Sequence, residues 1–137
     1  MMDIARVPKA ELHVHIEGTF EPEQIFTFAE RNAVTLPYST VADLEAAYKF
    51  ANLQSFLDLY YAAMTVLRTE RDFEELTLAY LKRAQAQNVK HAEIFFDPQA
   101  HTQRGIAFET VLDGLWSALL RSERDFGITT KLIMCFL

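Results

Sequence analysis

Apolar residues along the chain switch between two spacings, and the order of the switches sets the expected architecture. Leu12, Val14 and Ile16 are apolar at alternate positions, with Glu11, His13, His15 and Glu17 between them. A strand puts successive side chains on opposite faces, so this stretch predicts a β-strand with His13 and His15 side by side. Glu17 is expected just beyond them on the same face, and Gly18 releases the chain while leaving space close to the backbone. The period then lengthens. Glu21-Pro22-Glu23 opens a helix with Ile25, Phe26, Phe28 and Ala29 on its apolar side, and the stretch from Asn32 to Pro37 ends it. Thr40-Val41-Ala42-Asp43 has the form of a capping box, with aspartate in the usual glutamate place, at the head of a short helix ending near Phe50.

Asn52 is the expected cap of a third helix, in which Leu53, Phe56, Leu57, Tyr60, Tyr61, Met64 and Leu67 recur every three or four residues. Thr69 caps a fourth, running through Phe73, Leu76, Tyr80, Leu81 and Ala84 until Asn88 ends it. His91 to Phe96 returns to strand character and is stopped by Asp97-Pro98, after which Gln99 to Gly105 reads as a polar loop. A further helix carries Phe108, Val111, Leu112, Leu115, Leu119 and Leu120 and ends at Gly127. Lys131 to Leu137 is a third strand, apolar enough to be covered on both faces.

The order strand, helices, strand, helix, strand predicts an α/β fold of parallel strands joined by crossovers. It fits the N-terminal portion of a TIM-type (β/α)8 barrel with extra helices after the first strand. Such a barrel takes about 250 residues, so residues 1–137 are expected to form a single partial domain, with the rest of the barrel required to complete it.

Composition narrows the classes of function. The chain is 50% hydrophobic, as a globular domain is, and thirteen basic against nineteen acidic residues give a net charge of −6. That balance gives no support to nucleic acid as a partner. Neither a secretory signal nor an apolar run approaching 18 residues is present, so no membrane partner is expected. The single cysteine, Cys135, reads as a buried small hydrophobe and points to a reducing, cytoplasmic setting.

Two neutral imidazoles one pleat apart can share a divalent metal, zinc being held by imidazole nitrogen at about 2.0–2.1 Å. Spacing alone leaves open a structural or solvated histidine pair. The strand, loop, helix context is nevertheless the one in which α/β barrels carry their sites. Asp97 stands at the C-terminal end of the second strand, the active face of such barrels. His91 begins that strand at the far end and reads as structural. His101 lies in the following loop and is not expected to be a ligand. Glu93, inside the strand, needs a partner and is expected to hold a residue of the histidine strand. An aromatic stripe like that of the third helix is, by periodicity alone, more often core.

Pro8 to Thr19, Leu53 to Tyr61 and Asn88 to Gln99 resemble, in that order, the adenosine and adenine deaminases of the amidohydrolase superfamily. The resemblance implies that His13 and His15 are two ligands of one zinc ion, and that the reaction is hydrolytic deamination of a purine at carbon 6. The family takes its other metal ligands and its catalytic glutamate and histidine from later strands. No catalytic residue is therefore expected within this chain, and the chain alone is expected to be inactive. The resemblance also lays Leu53, Phe56, Leu57 and Tyr60 across the pocket mouth, against the purine, and lets Asp97 orient the first-strand residues. Relatives acting on the nucleoside usually carry aspartate at the position of Glu17. The longer glutamate would fill space used by ribose and so favours the free base adenine over adenosine. Alternatives are deamination of adenosine, another amidohydrolase reaction, or a non-catalytic assembly module pairing through an open sheet edge. Zinc deaminases using His/Cys/Cys are excluded, because one cysteine cannot supply Cys-x-x-Cys.

Overall fold

Three strands pair in parallel in the order β1 (Lys9–His15), β2 (Val89–Phe96), β3 (Thr129–Met134). The computed structural model describes residues 3–136, so Leu137, expected in the third strand, lies outside the described residues. A 3₁₀ turn, Ile16–Thr19, follows β1 and leads to α1 (Pro22–Arg31), α2 (Val41–Ala47), α3 (Leu53–Met64) and α4 (Glu70–Ala86). Between β2 and β3 lie α5 (Pro98–Thr102), α6 (Phe108–Leu119) and α7 (Ser122–Phe126).

Local chemistry sets most of these boundaries. Asn52 Oδ1 accepts from the Ser55 N–H at 2.9 Å, and Ser55 Oγ accepts from the Asn52 N–H at 3.3 Å, a reciprocal cap that starts α3. Thr69 and Asp72 form the same device at the head of α4. Thr40 Oγ1 accepts from the Asp43 N–H at 3.1 Å and starts α2. After α4, Asn88 takes a φ of 60°, the left-handed conformation that asparagine tolerates, and turns the chain into β2. The Asn88 side chain donates to the Arg6 carbonyl at 2.7 Å, and Lys9 Nζ donates to the Gln87 carbonyl at 2.9 Å. Together they fasten the start of β1 beside the start of β2.

The core lies on one face of the sheet. Ala92, Ile94 and Phe96 of β2 are buried with Phe73, Leu76 and Leu81 of α4 and Val111 and Leu115 of α6. Gly114 lets α6 approach α4: a Cβ there would meet the Glu70 carbonyl oxygen and lie 2.7 Å from Phe73 Cβ. A buried carboxylate joins α1 to α4. Asp72, 0% exposed, accepts from the N–H groups of Arg68 and Thr69 at 2.9 and 2.8 Å, from Asn32 Nδ2 at 2.9 Å, and from Arg31. Burial alone would raise its pKa, yet these donors hold it below the usual carboxylate value.

Several sequence expectations change. β1 is not a regular ladder, because its register against β2 shifts between Glu11 and Val14. β2 begins at Val89 rather than His91. The stretch read as a loop from Gln99 begins inside α5, since Pro98 occupies a first-turn helical position where its missing N–H is harmless. The helix expected to reach Gly127 breaks after Leu119 into α6 and α7, and Gly127 then ends α7 with a φ of 68°. β3 is covered less than its composition suggests, as Thr129, Lys131 and Met134 are exposed. Glu93 pairs with His91 of its own strand, Nε2 to Oε1 at 3.7 Å, rather than with β1. His91 also bonds Thr129 Oγ1 at 2.8 Å, a tie between β2 and β3. Among the described residues no helix is long and apolar enough to cross a membrane.

Candidate metal centre

The two histidines of β1 project from the face of the sheet opposite the helical core. Their rings are stacked with centroids 5.6 Å apart, and Phe95 of β2 stacks on both, at 4.4 Å from His13 and 5.4 Å from His15. The pairing of His15 with Phe95 in the parallel register brings that ring beside them. The histidines thus gain an apolar wall from the neighbouring strand.

His15 Nδ1 lies 3.1 Å from Asp97 Oδ1, and Asp97 Oδ2 accepts from the Tyr60 hydroxyl at 2.9 Å. A carboxylate accepts, so His15 carries its proton on Nδ1 and keeps the lone pair of Nε2 for another partner. That is the arrangement by which a carboxylate fixes the tautomer and aim of a metal-binding imidazole. Burial, followed by the Glu17 and Asp97 carboxylates, pushes the Tyr60 hydroxyl well above the ordinary tyrosine range, so it acts as a donor.

His13, His15, Gly18 and Asp97 line one wall of a cleft of about 440 Å³, and Phe56, Leu57, Tyr60 and Tyr61 of α3 line the other. A Cβ at Gly18 would stand 3.6 Å from the Tyr60 ring, an ordinary van der Waals contact, so this wall and α3 lie one atomic contact apart. The structure therefore brings His13, His15, Phe56, Leu57, Tyr60 and Asp97 together. Leu53 lies off the cleft, 70% exposed, one turn before Phe56. Glu17 is also displaced from its expected place. The 3₁₀ turn after His15 breaks the alternation of β1, so the Glu17 carboxylate turns inward and is 2% exposed. Its Oε1 accepts from the Asp97 N–H and from His101 Nε2, both at 2.9 Å.

His101, read from the sequence as a loop residue and not a ligand, is fully buried behind the cleft, and Arg104, which sequence reasoning missed, lies 2.8 Å from His101 Nδ1. A helix start at Pro98 sets His101 one turn after Asp97, and both then reach the same Glu17 oxygen, Asp97 through its N–H and His101 through Nε2. Tyr61 was read only as part of the aromatic stripe.

Two donor sets compete for a cation. Ligand atoms of His15, Asp97 and Cys135 lie within 4.8 Å of one another. Partial burial and the Asp97 carboxylate hold the Cys135 thiol above its ordinary value in the metal-free protein. Both Asp97 oxygens already accept hydrogen bonds. The imidazoles of His13 and His15 form the other set, and a neutral imidazole with a free Nε2 is a ligand type that suits a borderline ion such as zinc.

Histidines at the C-terminal end of the first of three parallel strands, facing an apolar cleft beneath a helix, place the chain in the amidohydrolase class of α/β barrels. The family model described as adenosine deaminase matches residues 8–137, and the chain belongs to that family. It is 60% identical over 134 residues to an adenine deaminase of Sphingopyxis alaskensis, covering 98% of this chain and 39% of the relative. With an adenine deaminase of Streptomyces coelicolor it shares 63% identity over 131 residues, covering 96% and 38%. The crystal structure of adenine deaminase from Arthrobacter aurescens superimposes with a TM-score of 0.89 at 59% identity, over 91% of this chain and 38% of that one. An amidohydrolase from Burkholderia ambifaria with bound zinc superimposes at 0.82 with 27% identity, over 96% and 36%. The chain thus spans about two-fifths of the length of the curated relatives it matches.

Proposed function

We propose that the protein catalyses the hydrolytic deamination of adenine, taking adenine and water to hypoxanthine and ammonia. The observation that carries this reading is the pair of stacked imidazoles, one fixed in tautomer by Asp97, at the wall of an apolar cleft. His13 and His15 would hold one zinc ion through their free ring nitrogens, with further ligands from outside residues 1–137, which act as the first three strands of the barrel. When bound, such an ion supplies Lewis acidity and lowers the pKa of water toward neutrality. The work of this chain is then binding and orientation. Phe56, Leu57 and Tyr60 pack on the flat purine and exclude water, and Asp97 keeps the His15 ring aimed. The single free cysteine fits a reducing, cytoplasmic setting.

Identity of about 60% to adenine deaminases favours the free base as substrate. One observation favours the nucleoside as the second reading: the Glu17 carboxylate is turned away behind Asp97, so it does not fill the space a ribose would need. Metal analysis and paired assays test both. The intact protein is expected to hold about one zinc per chain and to turn over adenine much faster than adenosine. Preference for adenosine would establish the second reading, and a metal-free protein inactive on both would overturn the two together.

A further inference from the structure

Glu17 and His101 are buried and Arg104 is half-buried, none of them lines the cleft, and yet a run of hydrogen bonds leads from Arg104 through His101 and Glu17 to the Asp97 N–H. We propose that Arg104, His101 and Glu17 form a positioning chain that fixes Asp97, and through it the ring of His15, in the orientation a metal ion requires. The inference rests on the metal-site reading of His13 and His15 given above.

The direction of the chain is set at Arg104. Its guanidinium is held by the carbonyls of Ala100, Thr65 and Leu67, at 3.0, 3.4 and 3.3 Å, and lies 2.8 Å from His101 Nδ1. A guanidinium only donates, so His101 Nδ1 accepts, and the proton of a neutral imidazole then resides on Nε2. That N–H donates to Glu17 Oε1 at 2.9 Å, and the same oxygen accepts from the Asp97 N–H at 2.9 Å. Asp97 is thereby gripped at its backbone while its side chain holds His15 Nδ1 and the Tyr60 hydroxyl. The other tautomer of His101 would set its Nδ1–H against the Arg104 guanidinium and a bare Nε2 against the Glu17 carboxylate, leaving both hydrogen bonds unmade. Packing supports the same geometry, since the His101 ring is fully buried and meets the edge of Phe73 at 4.9 Å between centroids. The chain joins residues 84 positions apart, Glu17 in the turn after β1 and His101 in α5. It therefore links the strand that bears the histidines to the strand end that bears Asp97.

The test uses the intact protein, with zinc affinity measured by chelator competition and the visible spectrum of the cobalt-substituted form as a second readout. His101→Phe keeps a ring but removes both nitrogens, and is expected to weaken zinc binding about 10–100-fold, the usual effect of losing a partner behind a metal ligand, and to shift the cobalt bands. His101→Gln retains one donor and one acceptor and is expected to stay within about threefold of wild type. Phe73→Leu disturbs the same packing without touching the polar chain; it should lower the thermal midpoint and leave zinc affinity unchanged. Wild-type affinity and spectrum in His101→Phe, or an equal loss of affinity in Phe73→Leu, would overturn the proposal while leaving the metal site standing. A wild-type protein that takes up no metal overturns the metal-site reading itself. If His101→Phe does not fold, imidazole nitrogen shifts of the wild-type protein decide. A protonated Nε2 with an unprotonated Nδ1 on His101 supports the chain, and the opposite tautomer or a doubly protonated ring overturns it.

Discussion

Tyr60 shows how one side chain serves two surfaces. Its ring faces the cleft and stacks on Phe56 with centroids 5.7 Å apart, while its hydroxyl reaches Asp97. Because burial and the nearby Glu17 and Asp97 carboxylates push its pKa upward, the hydroxyl stays protonated throughout the range in which an enzyme of this family would be assayed. Tyr60→Phe keeps the ring and loses one hydrogen bond, so stability should fall by about 1 kcal/mol. The pH–rate profiles of wild type and Tyr60→Phe should share the same limbs. A limb present in the wild type and missing in the variant would show that Tyr60 titrates, against the direction its surroundings impose.

Among the elements, α1 and α4 are locked by Asp72 and α4 and α6 by the absence of a side chain at Gly114. The native pKa of Asp72 is depressed, so its contribution to stability is complete above the unfolded-state value of about 3.9 and is lost as pH falls through the lower native value. Urea midpoints should therefore drop on acidification from about pH 5 to pH 3. Asp72→Ala is expected to remove about 3 kcal/mol and to flatten that acid dependence. The loss stands at the low end for a broken buried pair because Arg31 retains Glu75 at 2.7 Å. Gly114→Ala sets a gain of helix propensity of about 1 kcal/mol against a methyl group pressed on the Glu70 carbonyl and Phe73. Overpacking of about 1–3 kcal/mol wins, and chemical denaturation should show a net loss. Elements such as these were legible in the sequence wherever their causes are local. Asn52 and Thr69 cap helices through residues three positions on, and Asn88 turns the chain by its own conformation. The β1 bulge and the inward turn of Glu17 involve partners far along the chain, to which periodicity is blind. Glu17 is the plainest case, since a pattern of period two continued through it while its partners lie 80 and 84 residues away.

The molecule as a whole holds the two histidines of β1, the carboxylate behind one of them and the helix that walls the cleft. The resemblance to the deaminases implies that the residues completing the chemistry come from later strands. A protein of these 137 residues alone is accordingly expected to give no measurable loss of adenine in a sensitive assay, and turnover by it would refute the assignment of residues 1–137 to part of a larger barrel. The four helices between β1 and β2 also bear on how the sheet comes into being. Val14 and its partner Ile94 are about 80 residues apart in the chain. At a synthesis rate of about 5–20 residues per second, β1 emerges from the ribosome roughly 4–16 s before the residue that pairs with it exists. Collapse of a chain of this size takes at most about 100 μs, so Val14 and Ile16, which the folded core covers, are first sheltered by the helices made in the interval, or by a chaperone. The strand that is first in the sequence is, of the three, the one that waits longest for its neighbour.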